Sequence, residues 1–183
     1  MALLGGCAAP KTALVRVATD LGVIDIALQT EAAPITCANF LRYVDAKMYD
    51  GGRFHRAVRL DNQSRSDIQI EVVQAGINPA RRGDGFGAIK LERNSVTGLK
   101  HVDGTISMAR SGPDDATSDF FVCVGPQPSL DLGGKRNADG QGFAAFGRVV
   151  AGMDVVRKIQ NSRTRGENLR PAIRINTMRR APR

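Results

Sequence analysis

Apolar residues near the start of the chain fall on alternate positions. Leu14, Val15 and Val17 lead to a polar break at Asp20-Leu21-Gly22, and Ile24, Ile26 and Leu28 then resume the alternation. A period of two on either side of a turn predicts a β-hairpin with one buried face, over 13–29. The period then changes. Cys37, Phe40, Leu41, Val44 and Met48 recur at three- and four-residue steps behind Pro34, which predicts a helix over 34–48. Strands are expected at 54–58 and 67–75, the second from the alternation of Ile68, Ile70 and Val72, with a polar stretch at 59–66 between them. Glycine and polar residues dominate 76–100 and predict a mobile surface loop. Strands follow at 105–109, 120–124 and 145–150, then a helix at 153–160 with Val155 and Ile159 on one face, and a last alternation at 172–175.

Many strands, two helices and no regular β-α alternation predict an antiparallel barrel or sandwich with helices at its ends. Two loops invite chemistry and do not sustain it. Gly83-Asp84-Gly85-Phe86-Gly87 lacks the Lys-Ser/Thr ending and the following helix of a phosphate loop. Asn137-Ala138-Asp139-Gly140, in an insertion-like loop over 130–142, lacks the further carboxylates and closing Glu of a calcium loop. No metal site is expected.

The chain has 183 residues, of which 42% are hydrophobic and 24% charged, as in an ordinary globular protein of one domain. No stretch is apolar for long enough to form a transmembrane helix. The formal charge of +8 is spread along the sequence except for an Arg-rich end from Arg163 to Arg183. It has no helix-turn-helix, zinc-finger or aromatic-basic pattern beside it, so a solvated basic surface is expected and no specific nucleic-acid partner. The domain is placed at 13–178, with a basic tail at 179–183.

Cys7, Cys37 and Cys123 form no CxxC pair and no disulfide framework; the last two sit in apolar patterns as buried core residues. Cys7 is different. Leu4-Gly5-Gly6-Cys7 is similar to the lipobox of bacterial lipoproteins, which makes Cys7 a lipid-anchor candidate and 1–12 a remnant of an export signal. Only Ala2, Leu3 and Leu4 precede it where a signal needs a basic region and a longer apolar run, so chance similarity stands beside that reading. With a working lipobox the protein belongs to the periplasm or cell envelope, and without one to the cytoplasm.

Motifs in sequence order go further. Ala33-Pro34-Ile35-Thr36-Cys37-Ala38-Asn39-Phe40, Tyr49-Asp50-Gly51, Phe54-His55-Arg56, Gln74-Ala75-Gly76, Gly104-Thr105-Ile106-Ser107-Met108-Ala109, Ser118-Asp119-Phe120-Phe121, Leu130-Asp131 and Phe146-Gly147-Arg148-Val149-Val150 follow one another. Over about 13–176 the chain closely resembles the cyclophilin family of peptidyl-prolyl cis/trans isomerases. The resemblance implies a mainly β fold, a closed antiparallel barrel of about eight strands capped by two α-helices. It also implies rotation about X-Pro bonds without a cofactor, proline-containing polypeptides as partners, a role in protein folding, and a monomer.

By that resemblance Arg56 falls on the catalytic arginine and Gln74 on the glutamine that orients it. His55 falls beside them as a hydrogen-bonded structural residue in the substrate site, and Phe121 and Leu130 fall on walls of the proline pocket. Ala109 and Arg110 fall on the edge along which the substrate backbone runs. Departures are equally specific. Glu71 occupies a position where an aromatic pocket residue is usual, Val72 one where a larger apolar side chain is common, and Asp119 replaces a glutamine. Ser129 replaces an aromatic that contacts cyclosporin, and Phe143 replaces a histidine or tyrosine at the rim. Asp119, with Asp114 and Asp115, is expected to make the groove less positive, or else to pair with Arg56 or Arg110.

The residue types suit the reaction. Rotation about an X-Pro bond breaks amide resonance against a barrier of roughly 18–20 kcal/mol, and no covalent bond is made or lost. An apolar pocket for the ring and a fixed donor to the twisted amide are what help, and a guanidinium is a permanently charged donor of that kind. A hydrolase is disfavoured, since no serine or cysteine lies in a nucleophile motif such as GxSxG. The remaining alternative is a proline-peptide binding or chaperone module in which Glu71 and Asp119 spoil the pocket for catalysis.

Overall fold

The computed structural model describes residues 12–182; the Cys7 lipobox lies outside them. Alternating apolar positions form β1 (Thr12–Thr19) and β2 (Gly22–Gln29), followed by α1 (Pro34–Asp45), β3 (Arg53–Val58) and β4 (Val72–Gly76). A 3₁₀ turn at Pro79–Asp84 and the short α2 (Asn94–Thr97) precede β5 (Thr105–Met108) and β6 (Phe120–Cys123). Then come β7 (Ala145–Ala151), α3 (Met153–Gln160), β8 (Thr164–Arg165) and β9 (Asn168–Ala181).

Every pairing between these strands is antiparallel, in the order β1-β2-β7-β5-β6-β4-β3-β9, and β9 returns to β1 to close the ring. Eight strands thus form the barrel, and β8 is a two-residue arm on β9. Closure removes the unpaired edges an open sheet would present. Inside, Val15, Val17, Ile24, Ile26, Val73, Ala75, Ile106 and Val122 meet an aromatic group of Phe40, Tyr49, Phe54, Phe120 and Phe146. Phe40 and Phe120 pack edge to face at 5.3 Å. Each such buried side chain contributes about 1.5–3 kcal/mol, which makes this core the main stabilising element.

The helices cap the barrel. α1 begins with Pro34 and has no side-chain cap of its own, and its orphan N–H groups are met from far along the chain. Glu92 accepts from Ile35 N at 3.1 Å, Thr36 N at 2.7 Å and the Thr36 hydroxyl at 2.6 Å. α3 starts from Gly152, whose φ of 88° and close approach to Val23 O leave no room for a β-carbon.

Four segments differ from the expected elements. α1 stops at Asp45 because Lys47 turns to a φ of 54°, and Met48 is buried by the turn rather than by the helix. The expected strand 67–75 starts only at Val72. Before it, side chains take the backbone groups that a neighbouring strand would use: Gln63 bonds both N and O of Ile70, Arg136 bonds Ile68 O, and Gln127 bonds Glu71 N. The 76–100 stretch has structure of its own, with Phe86 packed against Tyr43 at 4.8 Å. The 172–175 alternation is the middle of a fourteen-residue strand, so Arg179 and Arg180 belong to the sheet, bonded to Asp50 and Asp45, rather than to a tail.

Candidate active site

Strand alternation sorts β4 and β6 into two faces. Val73, Ala75, Phe120 and Val122 point into the barrel, while Val72 and Phe121 face outward with Val58, Ile70, Cys123, Leu130 and Phe143 as a second apolar cluster. A cavity of about 460 Å³ opens over that cluster. Its walls include Arg56, Val72, Gln74, Ala109, Arg110, Asp115, Asp119, Phe121, Leu130 and Phe143, so ten of the residues picked out in the sequence converge there. Phe121 and Phe143 meet edge to face at 5.5 Å, which makes an aromatic corner of the size of a small apolar ring.

Arg56 reaches this cavity because of an irregularity in β3. Both of its pairings shift register between Phe54 and Arg56, so Phe54 stays in the core while His55 and Arg56 both leave it. The guanidinium is then held from two sides. Nη1 donates to Gln74 Oε1 at 3.0 Å, and Nε and Nη2 lie 2.7 and 2.6 Å from Glu167 Oε2. These contacts leave one N–H on each terminal nitrogen for a ligand. Arg56 and Glu167 are only 29% and 22% exposed, so the pair is already partly dehydrated.

His55 does not line the cavity. It sits in an adjoining cleft with Arg53, Arg82 and Ser118, its Nε2 at 3.7 Å from Asp119 Oδ2. Asp119 pairs with neither arginine proposed for it. Its Oδ2 accepts from Gln74 Nε2 at 3.4 Å, and its carboxylate abuts Gly76, where any β-carbon would collide with it. Arg110 lines the wall, but its head group is committed elsewhere, to Gly142 O and, bidentately, to Asp139. Its guanidinium carbon lies 5.0 Å over the Phe143 ring, so the residue props the rim. Asp114 also points away, with Oδ1 accepting from Leu91 N.

The pocket substitution falls one residue from its expected place. Ile70, 5% exposed, lines the cavity, while Glu71 turns out of it to accept from Gln160. The pocket therefore keeps its apolar lining, and Glu71 does not spoil it. The thiols take no part: Cys37 and Cys123 are buried, and burial pushes the Cys37 thiol up to about 12.

Three groups escape the sequence, Arg136 on the cavity wall among them. Glu167 lies on the β8–β9 turn, 111 positions from Arg56, with no pattern to link them. Behind Phe121 lies a buried chain in which His101 Nδ1 is 2.8 Å from Asp131 Oδ1 and Nε2 is 3.0 Å from Ser107 Oγ. The His101 ring stacks on Phe121 at 6.1 Å, and burial lowers its pKa despite the carboxylate beside it. The described residues hold no group of three His, Cys, Asp or Glu side chains placed to bind a metal, and no helix long and apolar enough to cross a membrane.

Comparison with known proteins agrees with this geometry. Residues 14–180 match the family model described as cyclophilin type peptidyl-prolyl cis-trans isomerase. The chain is 36% identical over 165 residues to peptidyl-prolyl cis-trans isomerase A of Dickeya dadantii, covering 90% of this chain and 78% of that protein. It is 35% identical over 169 residues to peptidyl-prolyl cis-trans isomerase-like 1 of Neurospora crassa, covering 90% and 91%. In fold it matches the crystal structure of a Cryptosporidium parvum cyclophilin type isomerase with a TM-score of 0.75, at 21% identity, covering 94% and 99% of the two chains. A closed eight-stranded barrel, an outward apolar pocket with an anchored arginine, and a family match across nearly the whole chain lead to one conclusion: the chain belongs to the cyclophilin-type peptidyl-prolyl cis-trans isomerases.

Proposed function

We propose that the protein accelerates rotation about X-Pro bonds of polypeptides, and so assists their folding, with Arg56 as the donor to the twisted prolyl amide. The observation that carries this is the placing of one guanidinium, fixed by Glu167 and Gln74, at the edge of an apolar pocket. The proline ring sits against Ile70, Val72, Phe121, Leu130 and Phe143, and residues preceding the proline run along the 109–121 edge.

As conjugation is lost, the prolyl nitrogen gains lone-pair character and becomes an acceptor that the planar ground state does not offer. A donor already in place then favours the transition state over the substrate, which is the condition for raising the rate. A gain of about 10⁵ corresponds to about 7 kcal/mol, within the range of an oriented charged donor plus a dehydrated pocket. Glu167 and Gln74 keep the reorganisation small by holding the fork before substrate arrives.

Exchange of a short X-Pro peptide, followed by NMR or by a protease-coupled assay, tests this. Wild type should raise the exchange rate well above background, and Arg56→Ala should lower kcat/KM by at least about tenfold, or ~1.4 kcal/mol, with an unchanged circular dichroism spectrum. Background exchange with wild type, together with measurable peptide binding, would replace the isomerase by a proline-peptide binding module.

A further inference from the structure

The cavity is electrically polarised along the strands that floor it. At its middle Gln74 stands opposite Phe121. Two residues along, about 6–7 Å away, Gly76 abuts Asp119, and Asp115 lines the wall from the same loop. In the opposite direction the chain runs back through Val72 and Ile70 to Ile68, and there Arg136 lines the cavity, with Nη1 donating to Ile68 O at 2.9 Å.

Unpaired charges of opposite sign stand at the two ends. Around Arg136 lie Arg56, Arg65, Glu167 and Asp67. Both carboxylates are already taken, Glu167 by Arg56 at 2.6 Å and Asp67 by Arg65 at 2.8 Å. Three guanidiniums thus share two carboxylates, and Arg136 forms no ion pair with a described residue. It is also half-buried, and that burial, with Arg56 next, lowers its pKa. A cation that is partly dehydrated and uncompensated gains from an incoming anion. At the far end Asp115 accepts from Ser111 N and Gly112 N, and Asp119 faces Gln74 and His55; neither carboxylate forms an ion pair with a described arginine or lysine, and Arg53 and Arg82 lie in the adjoining cleft. Arg110, which lines the same wall, is committed to Asp139.

We propose that Arg136 is a carboxylate subsite of this groove, which selects X-Pro segments carrying an acidic residue directly after the proline. The proposal rests on the isomerase function above and on its chain direction, which leaves the residue after the proline at the Arg136 end. Nε and Nη2 of Arg136 supply the donors, since only Nη1 is engaged. The same chemistry would also take the terminal carboxylate of a chain ending in proline.

The test compares blocked peptides Ala-Ala-Pro-Glu-Ala, Ala-Ala-Pro-Gln-Ala and Ala-Ala-Pro-Lys-Ala by exchange NMR. At low salt wild type should favour Glu over Gln by roughly fivefold in kcat/KM, falling to about twofold at 0.3 M salt. Arg136→Gln should bring the ratio to about 1 with turnover of the Gln peptide within about twofold of wild type, and Arg136→Lys should keep most of the preference. Equal turnover of the three peptides by wild type overturns the subsite and leaves the isomerase function standing. If no peptide is turned over, the isomerase function fails instead, and dissociation constants from chemical-shift titration of the same peptides decide the subsite: no Glu preference rejects it. Two further arms fix source and direction. Preference for a peptide with Glu before and Lys after the proline overturns the proposal. An Arg136-dependent preference confined to Ala-Pro over Ala-Pro-amide assigns the residue to chain termini and overturns the side-chain subsite.

Discussion

Two polar clusters lie on opposite sides of the Phe121 ring, and they are built from similar parts. In front, a guanidinium is held by Glu167 and the Gln74 amide at the cavity wall. Behind, an imidazole is held by Asp131 and the Ser107 hydroxyl. The rear cluster has the composition of a nucleophilic triad, yet the His101 side chain and Ser107 are both 0% exposed, and none of the three lines the cavity. The front cluster keeps free donors at the open cavity wall. Access rather than residue type separates chemistry from architecture here. The sealed cluster satisfies buried polar groups and backs the aromatic wall, and the open one faces the cavity.

The sharpest way to break this contrast is to remove the sealed imidazole. His101→Ala should cost about 2–4 kcal/mol in denaturant unfolding, since it leaves a cavity and takes the imidazole partner from the buried Ser107 hydroxyl, while Asp131 keeps the backbone N–H of residue 101 and Lys100. Activity per folded molecule should change little by comparison. A variant as stable as wild type would show that the rear cluster is not structural. Acid sharpens the same point. The folded-state pKa of His101 lies below the ordinary 6.5, so the unfolded chain takes up the proton first. Its contribution is complete above about pH 6.5 and is lost as the pH falls below that, before the carboxylates titrate. The melting temperature should drop between pH 7 and 5, and His101→Gln should flatten that slope.

In the open cluster the expected effects are smaller and kinetic. Glu167→Gln removes one anchor of Arg56, so kcat should fall by about three- to tenfold with KM little changed, because the donor is then less often in place when the amide twists. A fall in stability with kcat intact would make Glu167 a mere surface partner. Smallest of all is the steering by Asp119. Wild type should favour Lys-Pro over Glu-Pro peptides by about two- to threefold at low salt, and Asp119→Asn should abolish the preference. An unchanged, salt-insensitive ratio would leave Asp119 as a holder of His55 and Gln74.

Where pattern is local, these features are legible in the sequence. Period-two alternation located the first hairpin, and the ordered motifs brought Arg56, Gln74, Phe121 and Leu130 to one place. Glu167, Arg136 and the His101–Asp131–Ser107 chain were not legible, because a polar side chain carries no periodic signal of which distant residue it faces. The exchange of Glu71 for Ile70 in the pocket has a similar cause. Side chains, not a neighbouring strand, hold the backbone before Val72, so strand alternation does not extend to those positions. At the far end of the chain, Pro171 and a run of arginines masked a strand whose inward positions, Leu169, Ile173, Ile175 and Met178, are spaced too unevenly to stand out.

That last strand sets a schedule for biosynthesis. β9 bonds to β3 on one side and to β1, the first strand, on the other, so no shorter nascent chain can close the ring. While the ribosome still holds residues 168–181, β1 and β3 each stand with an open edge and the barrel core faces solvent through the gap. The newborn protein is therefore itself a client for whatever shields exposed strands during translation, and its pocket stands on a closed barrel only once β9 has been released.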